Sequence, residues 1–314
     1  MRAMEGYLVQ TSNLKHNLKQ LKRGWEVNKE FQQKIVAAFG KVGEQWLQEL
    51  PVKLKAIFKE WGVAIEGEPS NLSYNYVAYV RDECNRSLVL KVVIPGDGFS
   101  NEIQGTKAFQ GAGFVKLYKC DEVSGCILLE RLKPGKMLKE VEREAQLDIY
   151  LDVWNQLNRQ PSQDLPHIHK WFRALLNPSP NDLISQEQIA TALRYQKEIE
   201  DTTAGEVLLH GDLHHQNILY DENRGWLAID PKGVQGDAYF DYVSFLFNEL
   251  DGDFELLETR VKQLAAKQVL DEQRLRKAAV ALLTLQVLWA VEDGAEDARE
   301  MCKVLRYLSE TVRG

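Results

Sequence analysis

The hydrophobic pattern changes period along the chain, and each change marks an element. Between 31 and 61 the apolar positions Ile35, Phe39, Val42, Trp46, Leu50, Leu54, Ile57, Phe58 and Trp61 recur at helical spacing, with Pro51 either starting a second helix or breaking one long one. Tyr74 to Val80 and Ser87 to Ile94 then read as two strands joined by Asp82-Glu83-Cys84-Asn85. A helix is expected over 101 to 110, followed by strands at Val115 to Leu117 and Cys126 to Leu129 around a Ser124-Gly125 turn. Helical period returns over 136 to 160 and 185 to 202, with Asn177-Pro178-Ser179-Pro180-Asn181-Asp182 as loop chemistry between them. A short apolar run, Val207 to Leu209, precedes two more, Ile218 to Tyr220 and Trp226 to Ile229. The turn residues Asp221-Glu222-Asn223-Arg224-Gly225 between those two predict a β-hairpin ending at Asp230. Helices are expected at Tyr239 to Leu250 and through the strongly apolar Ala278 to Val291.

Composition narrows the class. A chain of 314 residues with 44% hydrophobic content fits one large domain or two lobes with a sizeable core. A net charge of -7 argues against a nucleic-acid partner and is compatible with a cationic small molecule. No apolar run is long enough to span a bilayer, and the N-terminus lacks the pattern of a secretory signal. Cys84, Cys120, Cys126 and Cys302 form no C-x-x-C pair, so reduced thiols in a cytoplasmic protein are expected. Three of the six histidines fall in one short stretch, which argues against a zinc enzyme. The basic residues Lys15, Lys19, Lys22 and Arg23 make 1 to 30 a solvated helix, a poorly ordered tail or an extension.

The stretch H-G-D-L-H-H-Q-N-I-L-Y-D-E-N-R-G-W-L-A-I-D-P, His210 to Pro231, carries the chemistry. Asn217 follows Asp212 by five residues, and the hairpin returns Asp230 towards Asn217. Three oxygen-bearing side chains then converge. Asn217 and Asp230 offer the hard oxygen ligands that Mg²⁺ takes alongside phosphate and water. Asp212 is left to accept a hydrogen bond from a substrate hydroxyl. Upstream, Lys91 lies in an otherwise apolar strand, where a lysine is either a cation for phosphates or a side chain facing solvent.

His210-Gly211-Asp212-Leu213-His214 with Asn217 resembles the H-G-D-x-H-x-x-N signature of aminoglycoside phosphotransferase-like small-molecule kinases. Ile229-Asp230-Pro231-Lys232-Gly233, with Gly236-Asp237 and Tyr239-Phe240-Asp241, is similar to the narrower aminoglycoside/hydroxyurea antibiotic resistance kinase family, over about residues 32 to 314. The resemblance implies an α+β, two-lobed protein-kinase-like fold. Residues 1–30 would be an extension. Residues 31–132 would form a small, mostly antiparallel nucleotide lobe with leading helices. Residues 133–314 would form a larger, mainly helical lobe with the catalytic loop and acceptor site.

The same resemblance implies ATP and Mg²⁺, Asp212 as the catalytic group, and Asn217 and Asp230 on the metal. Lys91 would hold the nucleotide phosphates, braced by Glu102 eleven residues on. The backbone from Leu129 to Leu132, including Glu130, would bind adenine. Ser70, Asn71 and Ser73, in a segment with one glycine where protein kinases have G-x-G-x-x-G, would donate to phosphate or serve as plain turn residues. His210 would hold the loop by hydrogen bonds, His214 would shape it or support Asp230, Asp237 and Asp241 would cap the helix that follows and brace the loop or else bind substrate, and Lys232 would balance the carboxylates or stay exposed. His215 reads as surface. Trp289, Glu292 and Asp293 read either as an acidic, aromatic acceptor pocket or as a core tryptophan beside a solvated helix end. The acceptor implied is a streptomycin-like aminoglycoside or hydroxyurea. A sugar or amino-alcohol kinase and a non-catalytic nucleotide-binding protein are the alternatives. A protein kinase is disfavoured by the missing glycine-rich loop and A-P-E segment.

Overall fold

The computed structural model describes residues 28–69, 72, 74–111, 113–157, 159–162, 164–179, 181–295 and 297–313. The expected extension at 1–30 falls almost wholly outside them, as do Ser70, Asn71 and Ser73. The chain divides into two compact units, one holding the described residues up to Ser100 with Lys116–Arg131, the other Asn101–Val115 with the described residues from Leu132 onward.

The first unit is a five-stranded antiparallel sheet, order β1-β2-β3-β5-β4, preceded by a helix. Helix α1 is Lys29–Trp61, and the strands are β1 Val63–Gly67, β2 Tyr76–Asp82, β3 Ser87–Val92, β4 Leu117–Asp121 and β5 Cys126–Glu130. The buried stripe of α1 (Phe31, Ile35, Trp46, Leu50, Leu54, Ile57, Phe58) joins Tyr76, Ala78, Val80, Leu88, Leu90 and Leu128 in one core. Each such aliphatic or aromatic side chain contributes about 1.5–3 kcal/mol when fully removed from water. Trp46 keeps its indole N–H satisfied at the Val93 carbonyl, 3.1 Å away.

Two expectations for this unit change. Pro51 neither starts nor ends a helix: it sits inside α1, and the break falls at Gly40 (φ 54°, ψ −132°). A proline costs one hydrogen bond and bends the helix, which the buried faces on both sides of it tolerate here. The break at Gly40 swings part of the apolar stripe outward, so Phe39 and Val42 are exposed. The expected strand at Val115 to Leu117 begins instead at Leu117, because Val115 donates its amide to Ala228 and Phe114 bridges the same residue within the second unit.

The second unit is mainly helical. Helix α2, Asp97–Ala108, runs into it from the first. There follow β6 Pro134–Met137, α3 Arg143–Gln156, α4 His169–Phe172, α5 Gln186–Asp201, β7 Val207–Leu209, β8 Ile218–Asp221, β9 Gly225–Ala228 and β10 Val234–Gly236. Helices α6 Val243–Phe247, α7 Phe254–Gln268, α8 Glu272–Glu292 and α9 Ala298–Arg313 complete it. Helix α8 is buried from Leu275 to Leu288 on nearly every side and packs against α5, α7 and α9. That is why its apolar run has no polar face. The strands form a three-stranded sheet, β6-β8-β9, and a pair, β10-β7.

The helix expected over 136–160 is shorter, since its first residues belong to β6 and a 3₁₀ turn at Leu138–Glu140. The helix expected from Tyr239 to Leu250 is a 3₁₀ turn, Ala238–Tyr242, followed by α6. It stops because Asn248 is extended and Glu249 takes a left-handed φ of 56°.

The return leg Pro231-Lys232-Gly233 packs tightly on α2. Gly233 has φ 61°, and a Cβ there would overlap the Asn101 carbonyl, while one on Gly105 would lie 2.8 Å from the Gly233 Cα. Gly233→Ala should therefore lower stability by roughly 1–3 kcal/mol, the left-handed strain plus the overlap. A urea titration followed by circular dichroism will read this as an earlier midpoint.

Candidate active site

Strand β7 delivers the chain into His210, and antiparallel pairing with β10 brings the segment after Asp230 back beside it. Three bonds close this loop. The Lys232 amide donates to the His210 carbonyl at 2.7 Å, the Ile229 amide donates to the Asn217 carbonyl at 3.0 Å, and His210 Nε2 donates to the Ile229 carbonyl at 2.8 Å. The hairpin β8-β9, in register Ile218 with Ala228, sets this return. Its turn is held by Asp221, which accepts from the Asn223 and Arg224 amides at 3.0 and 3.1 Å and from the Lys133 amide at 2.9 Å. Burial alone would raise the Asp221 pKa, but these three donors hold it below the ordinary carboxylate value.

Asp230 therefore follows directly on the residue paired with Asn217, and its backbone turns there through a left-handed φ of 61°. Asn217 donates its side-chain amide to the Asp212 carbonyl at 2.9 Å. That bond fixes which end of the amide is nitrogen and turns the oxygen the other way. The Asp212 carboxylate is partly exposed, with Lys232 Nζ at 3.5 Å and His214 Nε2 at 3.9 Å from Oδ2. Lys232 is thus both exposed and beside the carboxylate. The His214 ring lies between two donors, the Gln216 amide 3.2 Å from Nδ1 and the Asn217 side-chain nitrogen 3.2 Å from Nε2.

The loop is braced from beneath. Asp241, fully buried, accepts the Gly211 amide at 2.8 Å and the His210 amide at 3.2 Å and forms an ion pair with Arg159. Arg159 also donates to the Trp154 and Leu208 carbonyls and lies over the Trp154 ring. Asp237 caps its 3₁₀ turn through the Tyr239 amide and pairs with Arg274 at 2.5 Å. His210 is fully buried among Phe109 and Phe114. The Asp212 amide donates to its Nδ1 at 3.3 Å, and burial pushes its pKa down. His210 is thus a neutral clamp joining two loops.

His215 corrects the surface reading. It is buried, stacked on Phe245 at 4.5 Å, and accepts from Arg260 through Nε2 at 3.1 Å. Arg260 Nη1 donates to the Phe245, Leu246 and Asn248 carbonyls, while Nη2 reaches the neutral imidazole and Gln146 Oε1, the latter at 3.5 Å. Burial first, and then the Arg260 charge, push the His215 pKa down to about 2.

The other expected residues are spread more widely. Lys91 lies near the end of β3 and is buried, not facing solvent. Glu102 is on α2 and half-buried. The Glu130 amide donates to the Lys116 carbonyl at 2.8 Å, and Leu132 is buried. Trp289 is half-buried and meets Trp171 edge-on at 5.6 Å. Glu292 and Asp293 are exposed, and Glu292 accepts from Ser179 at 2.8 Å. Trp171 was not singled out in the sequence, yet it abuts the loop that bears Asp212: a Cβ on Gly211 would lie 2.9 Å from its ring. Arg159 carried no local signal either, since its partner is 82 residues away.

A family model described as aminoglycoside/hydroxyurea antibiotic resistance kinase matches residues 60–294. The hydroxyurea phosphotransferase of Kitasatospora aureofaciens is 30% identical over 273 residues, 81% of this chain and 77% of that protein. The streptomycin 6-kinase of Streptomyces glaucescens is 27% identical, covering 82% and 88%. Among solved structures, aminoglycoside phosphotransferase APH(4)-Ia superposes with a TM-score of 0.63 at 17% identity, covering 83% of this chain and 98% of that one. Choline kinase LicA from Streptococcus pneumoniae gives 0.63 at 14%, with the same coverage. The fold is the protein-kinase-like fold of small-molecule phosphotransferases. The chain belongs to the aminoglycoside/hydroxyurea antibiotic resistance kinase family.

Two outcomes follow from the bracing. Asp241→Ala leaves Arg159 unpaired and two amides without an acceptor, and should cost about 3–5 kcal/mol in chemical denaturation. The buried histidines set an acid limit. His210, His214 and His215 all have folded pKa values below the unfolded value of about 6.5. They impose no penalty above that pH. Below it the unfolded chain takes up protons the fold refuses, so stability falls by up to about 1.4 kcal/mol per pH unit for each group. Urea midpoints should drop between about pH 7.5 and about pH 5.5, and His215→Gln, which keeps an acceptor for Arg260, should flatten the slope.

Proposed function

We propose that this chain transfers the γ-phosphoryl group of ATP to a hydroxyl of a streptomycin-like aminoglycoside or a hydroxyurea-type acceptor. What supports the reading is that the loop bearing Asp212 and Asn217 is tied to the segment bearing Asp230 by the Ile229–Asn217 backbone bond and by His210, and is braced by Asp241. The names of the relatives, a hydroxyurea phosphotransferase and streptomycin kinases, support the acceptor class. The net charge of -7 suits a cationic acceptor.

On this reading Asp212 accepts the hydrogen bond of the acceptor hydroxyl and aims its oxygen at the γ-phosphorus, taking the proton as the bond forms. Its backbone carbonyl is engaged by Asn217, which holds the loop in the geometry that presents the carboxylate. The amide oxygen of Asn217 and the carboxylate of Asp230 are hard oxygen donors from the two ends of the β8-β9 hairpin, a set that fits Mg²⁺. When bound, Mg²⁺ would neutralise charge on the phosphates. Lys91, buried in β3, takes the role of phosphate cation, with Glu102 as its acidic partner. The backbone around Glu130 and Leu132 takes the adenine. Lys232 supplies a positive charge beside Asp212. Trp289, with Trp171, offers aromatic surface for the acceptor, and Glu292 and Asp293 offer negative charge. Such catalysis rests on positioning and electrostatics more than on covalent chemistry. An enzyme that consumes ATP and keeps its described cysteines as free thiols belongs in the cytoplasm.

Asp212→Asn preserves shape and removes the base. It should lower kcat by about 10²–10⁴-fold while ATP affinity, read by calorimetry, stays within about threefold. Full turnover in that variant on an acceptor that wild type phosphorylates would overturn the role given to Asp212.

A further inference from the structure

Away from the phosphoryl-transfer loop, His167, His169 and Glu200 stand together in the second unit, with one ligand atom from each within 4.8 Å of the others. Their backbones are held independently. His167 bridges Gln235 of β10, with the Ile168 amide on the Gln235 carbonyl at 2.8 Å and the Gln235 amide on the Pro166 carbonyl at 3.0 Å. His169 opens α4, and Glu200 lies in the last turn of α5. The three border a cavity of about 350 Å³ that Glu206 and Asp237 also line.

Three features of the cluster ask for a cation. Glu200 Oε1 is buried with no hydrogen-bond partner, and its distance to His167 Nδ1, 3.7 Å, is too long for a hydrogen bond. A buried carboxylate oxygen left so is costly unless an ion or water meets it. The Nδ1 atoms of His167 and His169 face each other at 2.7 Å, so a proton or an ion must lie between their lone pairs. The far nitrogen of His167, Nε2, lies 3.3 Å from a Glu206 carboxylate oxygen. A carboxylate on the second ring nitrogen is the usual support of a metal-bound imidazole.

We propose that His167 Nδ1, His169 Nδ1 and Glu200 Oε1 bind one divalent transition-metal ion of zinc type, with water from the open cavity as the fourth ligand. Two imidazoles and a carboxylate suit zinc and its neighbours and do not suit magnesium, which separates this site from the Asn217–Asp230 pair. The ion replaces the contact that His167 Nδ1 now accepts from the His169 amide at 3.1 Å. It ties the end of α5 to the backbone paired with β10, the strand that begins four residues after Asp230. Its role is structural. Cysteine spacing carries no trace of it, because the donors are a His-x-His pair and a glutamate thirty-one residues later.

The test uses the full chain stripped with EDTA and titrated with Zn²⁺ in a calorimeter, with thermal unfolding read alongside. Wild type should bind zinc and gain in melting temperature. His169→Ala and Glu200→Gln should each weaken that binding at least about tenfold and lose the gain, while Asp230→Asn keeps both. Glu200→Gln retains the shape of the side chain, so it reports on the site even where a histidine variant folds poorly. No zinc binding by wild type, binding unchanged in both site variants, or binding lost in Asp230→Asn would each overturn the proposal.

Discussion

The carboxylate of Asp241 is the contact on which the rest of the site depends. It accepts the amides of His210 and Gly211 and pairs with Arg159. Those amides begin a loop that turns sharply and would otherwise bury them without acceptors. With Asp241 in place, His210 is pinned and its ring holds the Ile229 carbonyl. The two segments that carry Asp212 and Asp230 are then fixed to each other. A buried ion pair contributes little net stability, but breaking one is costly. Asp241 is therefore a constraint on geometry more than a source of stability.

Given that brace, the hairpin performs a simple operation on the sequence. Ile218 pairs with Ala228, Asn217 accepts from Ile229, and Asp230 comes next. Separation along the chain becomes adjacency in space without any long loop. The amide nitrogen of Asn217 is committed to the Asp212 carbonyl, so this residue holds the loop and its oxygen is turned away from that bond. Gly233 lets the return leg lie against α2 where a side chain would not fit.

Much of this was legible in the chain because the chemistry is local. Asp212, Asn217 and Asp230 keep fixed spacings, and turn residues mark the hairpin between them. Most helices follow from apolar period, and β2, β3 and β5 of the sheet carrying Lys91 were visible as apolar runs, whereas its first strand, Val63–Gly67, drew no expectation and its fourth was placed too early. What stayed hidden depends on contacts between distant positions. Arg159, Trp171 and Glu200 have no neighbours in sequence that announce them, and the His167-x-His169 pair does not point to Glu200. His215 looked exposed beside His214, yet Arg260 and Phe245 take it inside. The helix break at Gly40 rather than Pro51 shows a packed apolar face overriding a local breaker signal. The acceptor side is the least legible part, since Trp289, Glu292 and Asp293 sit at a helix end with the residue types of any solvated end.

The most direct measurement of the central claim is mass analysis of acceptors after incubation with the purified chain, ATP and Mg²⁺. The panel is streptomycin, other aminoglycosides, hydroxyurea, and small sugars and amino alcohols. The account predicts that streptomycin, another aminoglycoside or hydroxyurea gains one phosphoryl group while ADP accumulates in equal amount. ATP bound by the chain with no acceptor in the panel modified, or phosphoryl transfer confined to the sugars or amino alcohols, would contradict it.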